Sequence, residues 1–302
     1  MTLDIRPVDG PLGAEIFGLD PVVARDLDSA TRDAIAEALC THRVLVFRGL
    51  PRPDAALVAF AERFGSLVTL YEHGATVPGF PGIVRVSNVW EEGQPIGLAG
   101  EQEIPWHHDH SFLACPAKES FLEATEIPFA APRTSFVDMV AALVALPPKL
   151  RERLRGLRAV HHIDERRTGE SDTEGALQPT GVTPEYHDAT NVIAQERIAS
   201  QRTTHPVVVR HPVSGLEVLY VSPLATAEIE GFSPAESKAL LDDLFGHAIR
   251  PEFITSHHWS PGDFVMWDGI ATLHHREAFD PAGRRFMKQM STQCERPLEA
   301  AA

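Results

Sequence analysis

The sequence predicts a mainly β fold with flanking helices, of β-sandwich or jelly-roll type. Three observations carry this. Runs of strand length recur along the chain, among them "RVLVFRG" (43–49), "GIVRVSNV" (82–89), "ESFLEATEI" (119–127) and "GDFVMWD" (262–268). Helical periodicity is confined to the N-terminal region and a few insertions. The strict strand–helix alternation of a parallel sheet is absent.

The elements follow in order. Residues 29–41 read as an amphipathic helix with Ile35, Ala38 and Leu39 on one face. The β-branched run at 43–49 reads as a buried strand, and "PDAALVAFAERFG" as a helix from Asp54 with Gly65 as its stop. Strands at 82–89 and 119–127 precede two helical pieces over 139–155, broken at Pro147-Pro148. Residues 163–204 are polar and poor in large apolar side chains, which predicts a long insertion or lid over an active site. Residues 205–222 read as strand, turn at Pro212 to Gly215, strand. Ser233 and Glu236 stand at capping-box spacing with Pro234 at the first helical position, and Gly246 is the expected end of that helix. A Pro-Gly-Asp turn leads into the strand at 262–268, and 284–295 reads as the closing strand. No repeat or boundary divides the 302 residues, so a single domain over 1–302 is expected.

Composition narrows the partners. A net charge of −15 argues against nucleic acid and against an anionic membrane, and leaves a small-molecule substrate; a homo-oligomer is compatible with it. Cys40, Cys115 and Cys294 lack any CxxC spacing and suit a reducing compartment. The N-terminus has neither a basic nor an apolar leader region, and no apolar run reaches the length of a membrane span, so a cytoplasmic protein is expected.

The densest chemistry is "IPWHHDHSF" (104–112). It has no helical period, so it reads as extended, and in a strand residues two apart share a face. His107 and Asp109 then form one couple, His108 and His110 the other. A histidine and a carboxylate on one face are two-thirds of the 2-His-1-carboxylate triad, which leaves three metal positions open. The third ligand lies among the adjacent pairs 161/162, 257/258 and 274/275. Spacing does not choose between them; context favours 274/275, just beyond "GDFVMWD".

Over nearly its whole length the chain resembles the taurine dioxygenase (TauD/TfdA-like) family of Fe(II)- and 2-oxoglutarate-dependent oxygenases. The resemblance runs through "LGAEIFGLD", "RVLVFRG", "ERFG", "PWHHDHSF", "HPVVVRHPVSGLEVLYV" and "WSPGDFVMWDGIATLHHREAFDPAGRRFM". The family pattern is W-H-x-D, later W-D-N-x-x-T-x-H, then an arginine eleven residues on. Trp106-His107-His108-Asp109 matches the first part. Trp267, Asp268, Thr272 and His274 match the second, with Gly269 in place of the usual asparagine, and Arg285 stands at the arginine position.

The resemblance implies a double-stranded β-helix (jelly-roll) core. It implies iron held by His107, Asp109 and His274, with Arg285 and Thr134 binding 2-oxoglutarate. The implied enzyme is a dioxygenase that uses O2 and oxidises, most simply hydroxylates, an unactivated C–H bond of a small organic metabolite. Succinate and CO2 are released, and a carboxylate-bearing substrate is expected. Desaturation or another oxidative rearrangement in natural-product biosynthesis is the alternative on the same centre. A non-catalytic jelly-roll binding protein is the alternative of another class. Related halogenases lack the carboxylate ligand, so Asp109 argues against halogenation. Four residues beyond the 2-oxoglutarate arginine, taurine dioxygenase carries a second arginine that grips the substrate sulfonate. Gln289 stands there instead, and a neutral amide implies a different substrate anchor. Tyr71, Glu103 and Tyr220 fall in segments that contact substrate in the family, and His110 and Gln289 are further candidates for substrate contact. His275 and Arg276 read as solvent-facing or as support for the ligands.

Overall fold

The computed structural model describes residues 3–19, 27–49, 52–71, 75–162 and 201–301. Most of the anticipated insertion, 163–200, lies outside the described residues. The chain opens with the hairpin β1 (Asp4–Pro7) and β2 (Ala14–Phe17), then α1 (Ser29–His42), β3 (Val44–Phe47) and α2 (Asp54–Ala61). Short β4 (Thr76–Val77) precedes β5 (Phe80–Ser87), the small ribbon β6 (Trp90–Glu91) and β7 (Gln94–Pro95), and β8 (Ile104–His107). The long β9 (Ala117–Glu126) and β10 (Thr134–Asp138) lead to α3 (Met139–Ala145) and α4 (Pro148–Arg155). Then come β11 (Arg158–His161), β12 (Thr203–Pro206), β13 (Val208–Arg210), β14 (Glu217–Leu219), β15 (Thr226–Ile229) and α5 (Pro234–Ala248). The chain finishes with β16 (Ile254–His257), β17 (Phe264–Asp268), β18 (Thr272–Arg276), β19 (Phe286–Gln293) and β20 (Glu299–Ala300).

The described residues are mostly β with few helices, as expected. Two sheets frame the site. One has eight strands in the order β1-β2-β3-β17-β9-β19-β5-β4, the other four in the order β16-β10-β18-β8. Among the described strands β2 and β3 pair in parallel and the other ladders are antiparallel. Alternation explains why β3 and the first four residues of β17 are apolar without interruption. Leu45, Phe47, Phe264 and Met266 pack under the helices with Ile35, Leu57 and Phe60. Val44, Val46, Val265 and Trp267 point the other way and pack with Phe136 of the second sheet. A strand covered on both faces needs apolar residues at every position. On β19 the same parity puts Met287 among those inward residues and Met290 under the helices.

Local signals explain several ends. Asp28 caps α1 by accepting from the Thr31 amide, and α5 carries the full capping box of Ser233 and Glu236. Two expectations need correction. α5 continues through Gly246 to Ala248, because Leu241, Leu244 and Ala248 keep its buried face in the core. The stretch at 284–295 is not the last strand, since β20 follows and pairs with β13. The final residues of the expected insertion, Thr203 and Thr204, are part of β12 and pair with β11. No helix among the described residues is long and apolar enough to cross a membrane.

Candidate active site

β8 and β18 run antiparallel with His107 opposite His274, and their ring centroids lie 3.9 Å apart. Of the three candidate pairs, this cross-strand pairing brings His274 against His107. β8 ends at His107, so the extended reading of the whole stretch does not hold. A turn follows, and it carries Asp109 back toward the two imidazoles. Asp109 Oδ1 lies 3.7 Å from His107 Nε2 and 3.8 Å from His274 Nε2. The three ligand-type atoms are all within 4.8 Å of one another. His107 Nδ1 donates to the Pro105 carbonyl at 2.7 Å, which leaves the lone pair on Nε2, facing Asp109.

The charge state suits a cation. Burial pushes His274 down to about 3, and it lowers His107 as well, so both imidazoles are neutral near pH 7. Burial raises Asp109, but attraction to His274, His107 and His110 and the Ser120 hydrogen bond prevail and hold it at about 2. Two neutral imidazoles and one carboxylate, converging on one point, fit a divalent metal such as Fe(II).

A cavity of about 190 Å³ opens on this triad. Its lining includes Arg285, only 1% exposed, whose Nε has no hydrogen-bond partner among the described residues. Burial and the neighbouring Arg276 drive its pKa well below the ordinary arginine value. A buried guanidinium with no carboxylate beside it is costly, and an anion in the cavity relieves that cost. Thr134 also lines the cavity; its hydroxyl accepts from Trp259 Nε1 at 2.9 Å, which leaves its own proton to donate. The donors fit a dicarboxylate cosubstrate.

The other expected site residues divide. His110 has φ of 54°, a left-handed conformation that a residue with a Cβ adopts only under constraint. That twist breaks the strand alternation and brings His110 to the cavity wall, with its ring 6.1 Å from Tyr71 and 6.0 Å from Phe112. Tyr71 and Gln289 also line the cavity. Tyr220 does not. It is fully buried and stacks on His108 at 4.3 Å, on the far side of the ligand strand. Glu103 also stays outside; its side chain is 58% exposed and bonded to His275 Nε2 at 2.7 Å. Arg276 is not solvent-facing: it is buried, lines the cavity and donates to the carbonyls of Ala99 and Gly100.

Gly269 has a steric reason. A Cβ there would come within 3.1 Å of the Ala117 carbonyl and 3.2 Å of the Lys118 carbonyl. Its own carbonyl takes the Nδ1 hydrogen of His108 at 3.2 Å, which turns that imidazole away from the triad. Sequence reasoning missed Ser120, whose hydroxyl donates to Asp109 Oδ2 at 2.7 Å. Its only signal is parity: on β9 it shares a face with Leu122 and Ala124, which are inward residues.

Behind Tyr220, His161 and His205 are buried and neutral. Burial lowers His161 well below its usual value and His205 to about 4. In the unfolded chain both protonate near 6.5. The unfolded state therefore binds more protons between about pH 6.5 and 4, and stability falls as pH drops through that window. His205 alone amounts to about 3 kcal/mol at the acid end. Glu119, raised to about 6 by burial, acts in the opposite sense by about 2 kcal/mol and does not cancel the two histidines. The melting temperature should fall from pH 7 to 4.5, and the slope should flatten in His205→Gln. A flat or rising profile would contradict the buried neutral pair.

Comparison with known proteins gives a consistent neighbourhood. The model of the family described as "Taurine catabolism dioxygenase TauD, TfdA family" matches residues 4–291. Pentalenolactone F synthase of Streptomyces arenae is 37% identical over 292 residues, 95% of this chain and 94% of that protein. The alpha-ketoglutarate-dependent 2,4-dichlorophenoxyacetate dioxygenase of Cupriavidus pinatubonensis is 31% identical, covering 91% of this chain and 93% of that protein. Among solved structures, a taurine dioxygenase from Burkholderia xenovorans superposes with a TM-score of 0.76 at 28% identity, covering 99% of this chain and 95% of that one. AAD-2, solved with Mn(II) and N-oxalylglycine, gives 0.76 at 27% identity, covering 98% and 99%.

Proposed function

The chain belongs to the TauD, TfdA family of dioxygenases, and from that premise we propose that it oxidises a C–H bond of a small organic molecule at the His107–Asp109–His274 centre. The observation that carries this reading is the convergence of those three ligand-type atoms on a cavity that is also lined by Arg285, whose Nε has no hydrogen-bond partner among the described residues. The two facing sheets are read as the jelly-roll core of one catalytic domain over 1–302, with the site between them.

Fe(II), 2-oxoglutarate and O2 supply the oxidising power when bound, with succinate and CO2 as co-products. The chain's own part is positional. His107 and His274 present neutral Nε2 lone pairs, and Asp109 brings one negative charge. Arg285 and Thr134 bind the distal carboxylate of 2-oxoglutarate, for which a guanidinium fork is suited. Apolar walls, among them Val84, Phe112 and Leu224, exclude water and direct the substrate's carbon skeleton. Beside its many apolar residues, the cavity is lined by the neutral polar side chains of Tyr71, His110 and Gln289. This supports a substrate whose reacting portion is apolar. The carboxylate expected from sequence would bind away from the metal.

A second reading, oxidation in natural-product biosynthesis by desaturation or rearrangement, draws support from the 37% and 34% identity to the pentalenolactone F synthases. Both readings meet one test. Purified protein with Fe(II), 2-oxoglutarate and O2 is screened against apolar lactones, terpenoid acids and aryloxy acids, with succinate and oxidised product measured together. Succinate formed in step with product is the expected result, and the product's mass distinguishes added oxygen from lost hydrogen. No succinate above the metal-free control on any substrate would remove the enzymatic reading.

A further inference from the structure

The Asp109 carboxylate has two oxygens, and they have different surroundings. Oδ1 faces the Nε2 atoms of His107 and His274. Oδ2 accepts two hydrogen bonds, from Ser120 Oγ at 2.7 Å and from Gln289 Nε2 at 3.1 Å. Ser120 Oγ is in turn 3.0 Å from Ser291 Oγ, on the same strand as Gln289. Gln289 and Ser291 share parity with Met287, so β19 turns all three inward, and Gln289 pairs with Leu122 of β9, two residues from Ser120.

We infer that Gln289 is a positioning residue for the Asp109 carboxylate, holding Oδ2 so that only Oδ1 is offered to the metal. The inference rests on the reading of His107, Asp109 and His274 as ligands. The physical case is one of saturation. Two donors occupy the lone pairs of Oδ2, and turning the carboxylate to present both oxygens would break both bonds. One-oxygen ligation keeps three positions open, which the bound cosubstrate and O2 require. A carboxylate only accepts, so the Gln289 amide nitrogen must face it, and the carbonyl Oε1 is the end left over. The expectation that Gln289 contacts substrate therefore narrows. Its donor is already committed to Asp109, and what remains for a substrate is an acceptor, which disfavours a sulfonate or carboxylate at this point.

The test uses metal-free protein titrated anaerobically with Co(II) and with Fe(II), without 2-oxoglutarate or substrate. Calorimetry follows both metals, and visible absorption reports the Co(II) coordination. Gln289→Leu keeps the bulk and removes the donor. It should weaken metal binding about 10- to 100-fold and change the Co(II) band shape. Thermal unfolding of the metal-free variant should remain near wild type. Gln289→Ala, smaller and unable to clash, carries the same prediction should the leucine disturb folding. His274→Ala is run in parallel. If it loses binding while both Gln289 variants keep the wild-type Kd and spectrum, the positioning role is overturned and the ligand reading stands. If His274→Ala binds as wild type does, the ligand reading falls and the inference with it.

Discussion

His274→Ala should lose turnover by about 10³-fold or more, equivalent to about 4 kcal/mol of transition-state stabilisation. The reason is the number of ligands. His107 and Asp109 alone would hold a metal by two side chains in place of three. The fold should survive the change. His274 lies beside Trp267 and Phe136, at ring distances of 4.9 and 6.2 Å, and its Nδ1 makes no hydrogen bond to another described residue. The variant therefore strands no partner, and its main structural cost is a cavity. The check is succinate release together with metal content after gel filtration. A variant that holds metal and turns over normally would remove His274 from the centre. Asp109→Ala should lose as much turnover with a larger structural cost, because Ser120 Oγ and Gln289 Nε2 then lose their common acceptor.

Arg285→Ala should raise the KM for 2-oxoglutarate by about 30- to 4,000-fold, as truncating one partner of a buried charge pair costs about 2–5 kcal/mol. The metal-free, ligand-free protein should respond differently. There the guanidinium is buried without a carboxylate partner among the described residues, and its removal relieves desolvation while losing packing. Its melting temperature should therefore stay near wild type. The distinguishing readout is linkage: 2-oxoglutarate with metal should raise the melting temperature of the wild type and much less that of Arg285→Ala. Arg285→Lys should fall between, since an ammonium keeps the charge without the two-pronged geometry. Equal stabilisation of wild type and Arg285→Ala by 2-oxoglutarate would exclude the role.

Much of the fold was legible because its signals are local. The break at Pro147-Pro148, the capping box of α5 and the apolar run of β3 each depend on neighbours within a few residues. β10, β11, β15, β16 and β18 were harder. They are four or five residues long and carry polar residues such as Ser135, His161, Glu228, Ser256 and His275. Their strand state comes from pairing with a partner distant in sequence, which no short window contains.

The site divides along the same line. The sequence by itself determined the residue types available and, through motif order, the candidacy of His107, Asp109, His274 and Arg285. Those depend on identity and spacing along the chain. Only the tertiary structure decided how they meet. The β8–β18 ladder sets His274 against His107, and a left-handed backbone at His110 turns that ring to the cavity. Tyr220 is carried behind His108, and Gln289 is brought from 180 positions away onto Asp109 Oδ2. Those outcomes are fixed by strand register and by hydrogen bonds between distant segments. Side-chain direction in a sheet follows from the pairing of whole strands, so a periodicity read one segment at a time does not contain it.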